Sequence, residues 1–367
     1  MYYKERTFVF RKPSVTTMQY IQHAPHTPWA HTARIGVALA AIVTVVTMAF
    51  LWPSFTSSAK GLPIAVVGAS AQTTAIEAAL NKASPGAFEF TTVSDRSKAV
   101  TRIEEREDYG AIVLGASSEV LTASAANPSI AQRLGGLASQ LEQQQQHATA
   151  TAAQRVSVGA SETVKTTDVV PLLATDPRGS TIGASSLPLI LGGILGGVLI
   201  ALMVVGVWRR LIGLGVYSLV GSAAVTGVLQ GWFGALAHNY FINAGAVALV
   251  LLGIGGVMLG LAALVGRAGV AVGPILFLLG ANPISAAALP IEFLASPWGA
   301  IGQWFPPGAG ATLLRDLSYF PNADGRSPWL VLAGWAALGL LLTALGHLRN
   351  AGAATQMAEL EAQAASA

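Results

Sequence analysis

The stretch from Leu187 to Leu289 contains no acidic residue, and its only full charges are Arg209, Arg210 and Arg267. Around those arginines lie four runs built from Leu, Val, Ile, Ala and Gly: Leu187–Val207, Leu211–Gln230, Ala244–Val265 and Val270–Leu289. Each is about 20 residues long, the length a helix needs to cross roughly 30 Å of hydrocarbon. A helix on the surface of a soluble core carries a polar stripe, and these runs carry none. The block predicts four membrane-spanning helices.

The composition agrees. Of 367 residues, 53% are hydrophobic and only 11% are charged, whereas a soluble domain carries about 25% charged residues. The absence of cysteine excludes disulfides and Cys-ligated metal. The net charge of +3 is small and scattered, which argues against a nucleic-acid partner.

Residues 1–34 form a polar tail, with Lys4, Arg6, Arg11, Lys12 and Arg34 against the single acid Glu5. Within it, Val15–Gln22 fits either a short surface helix or a loop. The apolar run Ile35–Trp52 follows. Its length and its long basic leader favour an uncleaved first span over a signal peptide cut near Ser57-Ser58-Ala59.

Charge returns over Thr56–Ser186. Pro63–Val67 and Gly110–Leu114 read as short buried strands, and Phe88–Val93 as an alternating one. Thr73–Ala83 and Arg96–Glu107 read as helices, the second capped by Asp95. Ile130, Leu134, Leu137 and Leu141 form a helical stripe continued by Gln143–Gln146, and Val169–Leu173 offers a last strand. The alternation predicts a small α/β domain with parallel strands, joined to the membrane block by Thr175–Ser186.

Pro290–Pro328 is neither a clean span nor a water-filled loop. It combines prolines with Phe293, Trp298, Trp304, Phe305, Tyr319 and Phe320. Amphipathic aromatics favour the membrane boundary, so short interfacial or re-entrant helices are expected, with Arg315 and Asp316 near the turn. Trp329–Leu345 is a last span, and 350–367 an Ala-rich helix or tail. The fold class is therefore an α-helical polytopic membrane protein, with six transmembrane helices and an inserted external α/β domain. Six spans put the N-terminal basic cluster, Arg209-Arg210, Arg267 and Arg349 on one side, as the positive-inside rule requires. Both termini are then cytoplasmic in a multi-pass cell-membrane protein.

No GxxxxGK[ST], HExxH or GxSxG motif is present, so the chain is not expected to be an enzyme, and no cofactor or metal is expected. His23 and His26 lie on the polar tail, and the remaining histidines are scattered. The spans hold no Asp, Glu or Lys, which argues against a carrier powered by protons or sodium. Asn282-Pro283 interrupts the fifth span, where a kink or a place in a substrate path are the two readings. Gly192-Gly193, Gly196-Gly197 and Gly253, Gly256 and Gly260 supply small-residue faces for close helix packing.

Three stretches resemble the ABC type-two permease family, in its phage-infection-protein-like branch: LPIAVVG at Leu62–Gly68, DRSKAVTRIEEREDYGAIVL at Asp95–Leu114, and the proline-broken block Ala281–Asp316. The resemblance implies a homodimer or heterodimer of permeases served by a cytoplasmic ATPase subunit supplied in trans. It implies export of a hydrophobic or amphipathic substrate. ATPase docking would fall on Arg209 and Arg210, in an unusually short loop at Trp208–Leu211. A substrate path or gate would involve Asn282, Pro283, Trp304 and Phe305. The alternative is a non-transport anchor, receptor or secretion scaffold that presents the external domain.

Overall fold

The computed structural model describes residues 28–115, 118–139 and 164–366. The readings for Val15–Gln22, Leu141 and Gln143–Gln146 lie outside the described residues, as do His23, His26 and His147. Two compact units are distinguished, Met1–Met48 and Ala49–Ala367. Helix α1 (Trp29–Thr56) makes up the described part of the first and enters the second. Its Thr44 and Thr47 hydroxyls donate to the carbonyls of Ala40 and Val43, both at 2.9 Å. Those bonds leave an almost wholly apolar surface, suited to lipid.

The second unit opens with the predicted α/β domain. Its elements are β1 (Leu62–Val67), α2 (Ser70–Ala83), β2 (Phe88–Val93), α3 (Arg96–Glu104), β3 (Gly110–Val113), β4 (Glu119–Thr122), α4 over 128–139, and β5 (Lys165–Asp168). The sheet order is β2-β1-β3-β4-β5. β1 pairs parallel with β2 and β3, β4 turns antiparallel to β3, and β5 is parallel to β4. Asp95 caps α3 as expected, accepting from the Lys98 backbone N–H at 2.9 Å. Asn127 caps α4, whose Ile130 and Leu134 are buried against Leu62, Ile64 and Val120.

Two strand assignments need correction. β4 has no counterpart in the sequence reading, and the last strand is Lys165–Asp168, not Val169–Leu173. β5 is a polar edge strand, mostly exposed, so hydrophobicity cannot reveal it. β4 is only four residues long and opens on a charge, Glu119, which masks its apolar pattern. Glu119 accepts from Arg96 Nε at 2.6 Å and from the Thr167 hydroxyl at 2.6 Å. Arg96 beside it holds the Glu119 carboxyl below its ordinary value.

Among the described residues, five helices are long and apolar enough to cross a membrane: Trp29–Pro53, Thr181–Met203, Val207–Trp232, Tyr240–Val265 and Arg326–Arg349. The chain is a polytopic helical membrane protein with a small mixed sheet. α5 (Thr181–Met203) begins inside the expected linker. α6 (Val207–Thr226) continues as a π-helix over Gly227–Trp232. α7 (Tyr240–Val265) lies at the centre. The expected fifth span is shorter and broken. α8 (Arg267–Pro274) passes into a π-helix over Ile275–Ala281, which closes on a bond from the Asn282 N–H to the Phe277 carbonyl. Pro283 has no N–H to continue the ladder. After a short 3₁₀ turn at Ile291–Phe293 come α9 (Trp298–Gly302), α10 (Pro306–Tyr319) and α11 (Arg326–Ser366).

Glycines set the bundle's geometry. On α7 and α11, Gly253 faces Ala336, Gly256 faces Gly339, and Gly260 faces Leu342 and Thr343. The numbers rise together, so the two helices run parallel. α5 is parallel to α7 as well, Gly193 meeting Ile254 and Gly197 meeting Met258. α6 and α8 run antiparallel to α7: Leu214 reaches Gly255 while Gly221 reaches Leu251, and Gly269 and Gly273 abut Leu261 and Met258. The predicted small-residue faces thus pack one helix against another.

A matched pair of substitutions tests this seam. A side-chain carbon added at Gly334 of α11 would meet nothing within 4 Å, whereas one at Gly339 would collide with the Gly256 backbone. Gly334→Ala should hold or raise the unfolding temperature in detergent, since Ala is better than Gly in a helix by about 1 kcal/mol. Gly339→Ala should lower it, with overpacking costing about 1–3 kcal/mol. Equal effects would contradict the close approach.

Candidate functional site

The segment between α8 and α11 is built by glycine, proline and aromatic contacts. Pro306 and Pro307 occupy the first turn of α10, where their missing N–H groups cost nothing. Gly302 lies directly on the Ile284 carbonyl, a spacing that no side chain allows. The Gln303 amide donates to the Ser285 carbonyl at 3.0 Å and accepts from the Thr312 hydroxyl at 2.7 Å. Trp335 of α11 donates from Nε1 to the Trp304 carbonyl at 2.7 Å. Its ring lies between Phe305, at 5.5 Å, and the fully buried Phe277, at 5.3 Å.

The structure links the two stretches that hold the expected gate residues. The turn at Asn282-Pro283 is joined through Ser285 to Gln303, the neighbour of Trp304 and Phe305. Two details differ from expectation. Asn282 meets the helix break with its backbone, its carbonyl accepting from the Ser285 hydroxyl at 2.7 Å. The Trp304 ring is largely exposed and holds its place through its carbonyl. Phe305 carries the packing.

Arg209 and Arg210 lie in the first turn of α6, not in a loop at Trp208–Leu211. The connection from α5 is Val204-Val205-Gly206, where Gly206 has φ 96°. Arg210 donates from Nε to the Val204 carbonyl at 2.6 Å, while Arg209 is exposed. The pair belongs to the end of α6 that follows α5, the bundle end away from the sheet.

A second group of residues has no forerunner in the sequence reading. Arg106 and Tyr109, in the turn from α3 to β3, reach across to the segment around α10. Arg106 forms an ion pair with Asp316 and lies 5.8 Å over the Phe320 ring. Tyr109 donates to Glu292 at 2.7 Å. The turn is held by Arg102, which pairs with Asp108 at 2.5 Å and Glu107 at 2.7 Å. Arg106 takes a positive φ of 62°, unusual for a residue with a side chain. Arg315 does not pair with its neighbour Asp316; its guanidinium donates to the Ala287 carbonyl at 3.1 Å.

Burial governs the electrostatics. It pulls the Arg315 guanidinium down to about 10, which leaves it charged at neutral pH. It pushes the Asp316 carboxyl above its ordinary value, against the opposing pull of Arg106. It also pushes the Tyr109 phenol up, so that Tyr109 is the donor to Glu292. The contacts border a cavity of about 490 Å³ whose walls include Glu105, Arg106, Tyr109, Glu292, Asp316 and Asp324. Among the described residues no cluster of three or more His, Cys, Asp or Glu could hold a metal.

The only sequence signals for this brace were the charge run Glu104–Asp108 and the pair Arg315-Asp316 in a segment otherwise poor in charge. Arg106 and Asp316 stand 210 positions apart, so no periodicity could join them. The chain matches no family model, no curated protein and no solved structure.

The Arg106–Asp316 pair should behave as a coupled unit. Arg106→Gln and Asp316→Asn each leave a mostly buried charge unpaired, a loss of about 3 kcal/mol or more. The double variant should lose less than the sum, as read by denaturant midpoints of the full chain in detergent. Additive losses would mean that the pair contributes no coupling.

Proposed function

We propose that this chain is the membrane-spanning permease subunit of an ABC-type exporter, moving a hydrophobic or amphipathic substrate outward. A cytoplasmic ATPase subunit acts in trans, and two permease chains pair as a homodimer or heterodimer in the cell membrane. Six crossings place both termini in the cytoplasm and the α/β domain outside. The observation that carries this reading is the arrangement of the parallel helices. α5, α7 and α11 all lead away from the sheet, so the chain returns twice, once through α6 and once through Arg267–Ala281. The second return gives the sixth crossing. It is 15 residues long, about 22 Å at α-helical rise, and it ends on the proline-broken segment.

Three further features support a permease. The described spans contain no Asp, Glu or Lys along the crossing regions, so the driving energy has to come from another subunit. The proline-broken segment closes over the sheet end of α5, α7 and α11 as separate short helices, which suits a gate. Arg209 stands exposed at the opposite end, where an ATPase would dock. One observation favours the alternative of a scaffold presenting the α/β domain: the brace fixes that domain to the membrane part, as a display role also needs.

Purification of the tagged chain from its native membrane separates the two. A permease brings an ATPase with it, and the complex hydrolyses ATP; a scaffold does not. Arg209→Gln with Arg210→Gln should reduce ATPase recovery several-fold while insertion is unchanged. In reconstituted complexes, Trp304→Ala and Phe305→Ala should raise leak or uncouple hydrolysis from export. Of the two, Phe305→Ala should have the larger effect, because its ring contacts Trp335. Parental transport without leak in both variants would contradict the gate. A cysteine at Asp324 should react with an impermeant reagent from outside, and one at Ala364 should not.

A further inference from the structure

Between α5 and α6 lies a groove of about 480 Å³, and we propose that it holds one acyl chain of a membrane phospholipid. The groove runs from Thr181 and Phe233, at the sheet end, to Gly192 and Tyr217, with Leu251 of α7 as its floor. Both flanking helices are long and apolar enough to cross a membrane, so the groove opens on hydrocarbon. The inference does not depend on transport.

Small residues make the groove. Ala184 and Gly192 of α5, with Gly221 and Ala224 of α6, leave the space between the two helices unfilled. Val228 and Leu229 reach its wall from the π-helix Gly227–Trp232. Such a helix is rare and frequently marks a functional site. Tyr217 closes the inner end. Its hydroxyl donates to the Gly192 carbonyl at 2.7 Å, and its ring lies so close to Gly196 that a side-chain carbon there would strike it. The groove therefore has a fixed depth. The stretch of α5 along it, Thr181–Gly192, is about 16 Å long at α-helical rise, roughly half of the ~30 Å hydrocarbon core. That is one leaflet, the reach of one lipid chain.

The wall selects the occupant. It carries no charged residue. Tyr217 is committed to Gly192, and the Ser185 hydroxyl donates to the Ile182 carbonyl at 2.8 Å. No wall residue has a buried polar atom without a partner, so nothing in the groove calls for water or for a polar ligand. At the mouth, Asp176 accepts from the Thr181 N–H at 3.0 Å, which places a carboxylate where a headgroup phosphate would otherwise meet the helix start. The site thus reads the chain and not the headgroup. A helix of a second copy is too thick for it. Spread over its length, the volume leaves a cross-section of about 30 Å², against roughly 80 Å² for a helix 10 Å across. An empty groove forfeits dispersion contacts along its lining, and a hydrocarbon chain restores them.

The test uses the full chain in nanodiscs of phosphatidylcholine or of phosphatidylglycerol, each doped with the same lipid carrying a diazirine at the end of one acyl chain. After irradiation, labelled residues are mapped by mass spectrometry. Labelling should concentrate on Tyr217, Gly221 and Leu251 and be equal for the two headgroups. It should exceed several-fold the labelling of Val216 and Leu219, which are exposed at the same level of α6. Ala184→Phe with Ala224→Phe fills the groove from two exposed positions and should cut its labelling several-fold, with Leu219 unchanged. Tyr217→Ala removes the stop and should move the label deeper, to Gly196. That gain keeps the test decisive if the filled variant is unstable. The proposal is overturned if the parent is labelled evenly over the groove, Val216 and Leu219, or if labelling follows the headgroup. It is overturned equally if the folded filled variant keeps its groove labelling, or if folded Tyr217→Ala shows no shift. Crosslinking of Ala224→Cys between copies, with no label in the groove, would make the groove a seam between two chains and overturn it as well.

Discussion

Everything in the membrane part depends on how closely other helices approach α7. Lipid gives helices no hydrophobic reason to associate, so packing has to supply it. Here it does so through glycine: α5 and α11 lie on α7 at positions where a side-chain carbon would strike backbone. Ile254, Met258 and Val250 then pack tightly on all sides, and α7 is buried over most of its length. Because three helices run parallel, the chain must come back between α7 and α11. That requirement explains the short, π-distorted return through Ile275–Ala281 better than local propensity does.

The brace to the α/β domain rests on this platform. α10 presents Asp316 because its opposite face is buried on α7, Gly310 lying against Val250. Arg106 can reach Asp316 because Arg102 holds the turn behind it through Asp108 and Glu107. A buried ion pair adds little net stability over an apolar contact but is costly to break on one side. Such a contact suits a joint with two states better than it suits a rivet. The raised Asp316 carboxyl, with burial opposing Arg106, fits that description.

Much of this architecture was legible in the sequence. Apolar length revealed α1, α5, α6, α7 and α11. The short runs at Pro63–Val67 and Gly110–Leu114 revealed the parallel core of the sheet, and Asp95 revealed a helix start. What stayed hidden was set by tertiary contact. β5 is polar because it is an edge, and β4 carries Glu119 because Arg96 and Thr167 are waiting for it. Asn282, Pro283, Trp304 and Phe305 were singled out for their chemistry; the fold links Asn282 through Ser285 to Gln303, beside Trp304, and sets Phe305 against Trp335. Arg106 and Tyr109 were not singled out, since a partner far along the chain leaves no mark on a local pattern.

The parallel course of α7 and α11 is the claim from which the return segment, the brace and the topology all follow. Disulfide trapping tests it on a chain that has no cysteine of its own. Pairs at Gly253 with Ala336, and at Ala263 with Gly346, are in contact and should crosslink readily in native membranes. The crossed pairs, Gly253 with Gly346 and Ala263 with Ala336, are about 15 Å apart along the helix axes and should not. Crosslinking of the crossed pairs in preference to the direct ones would contradict the parallel seam and the account built on it.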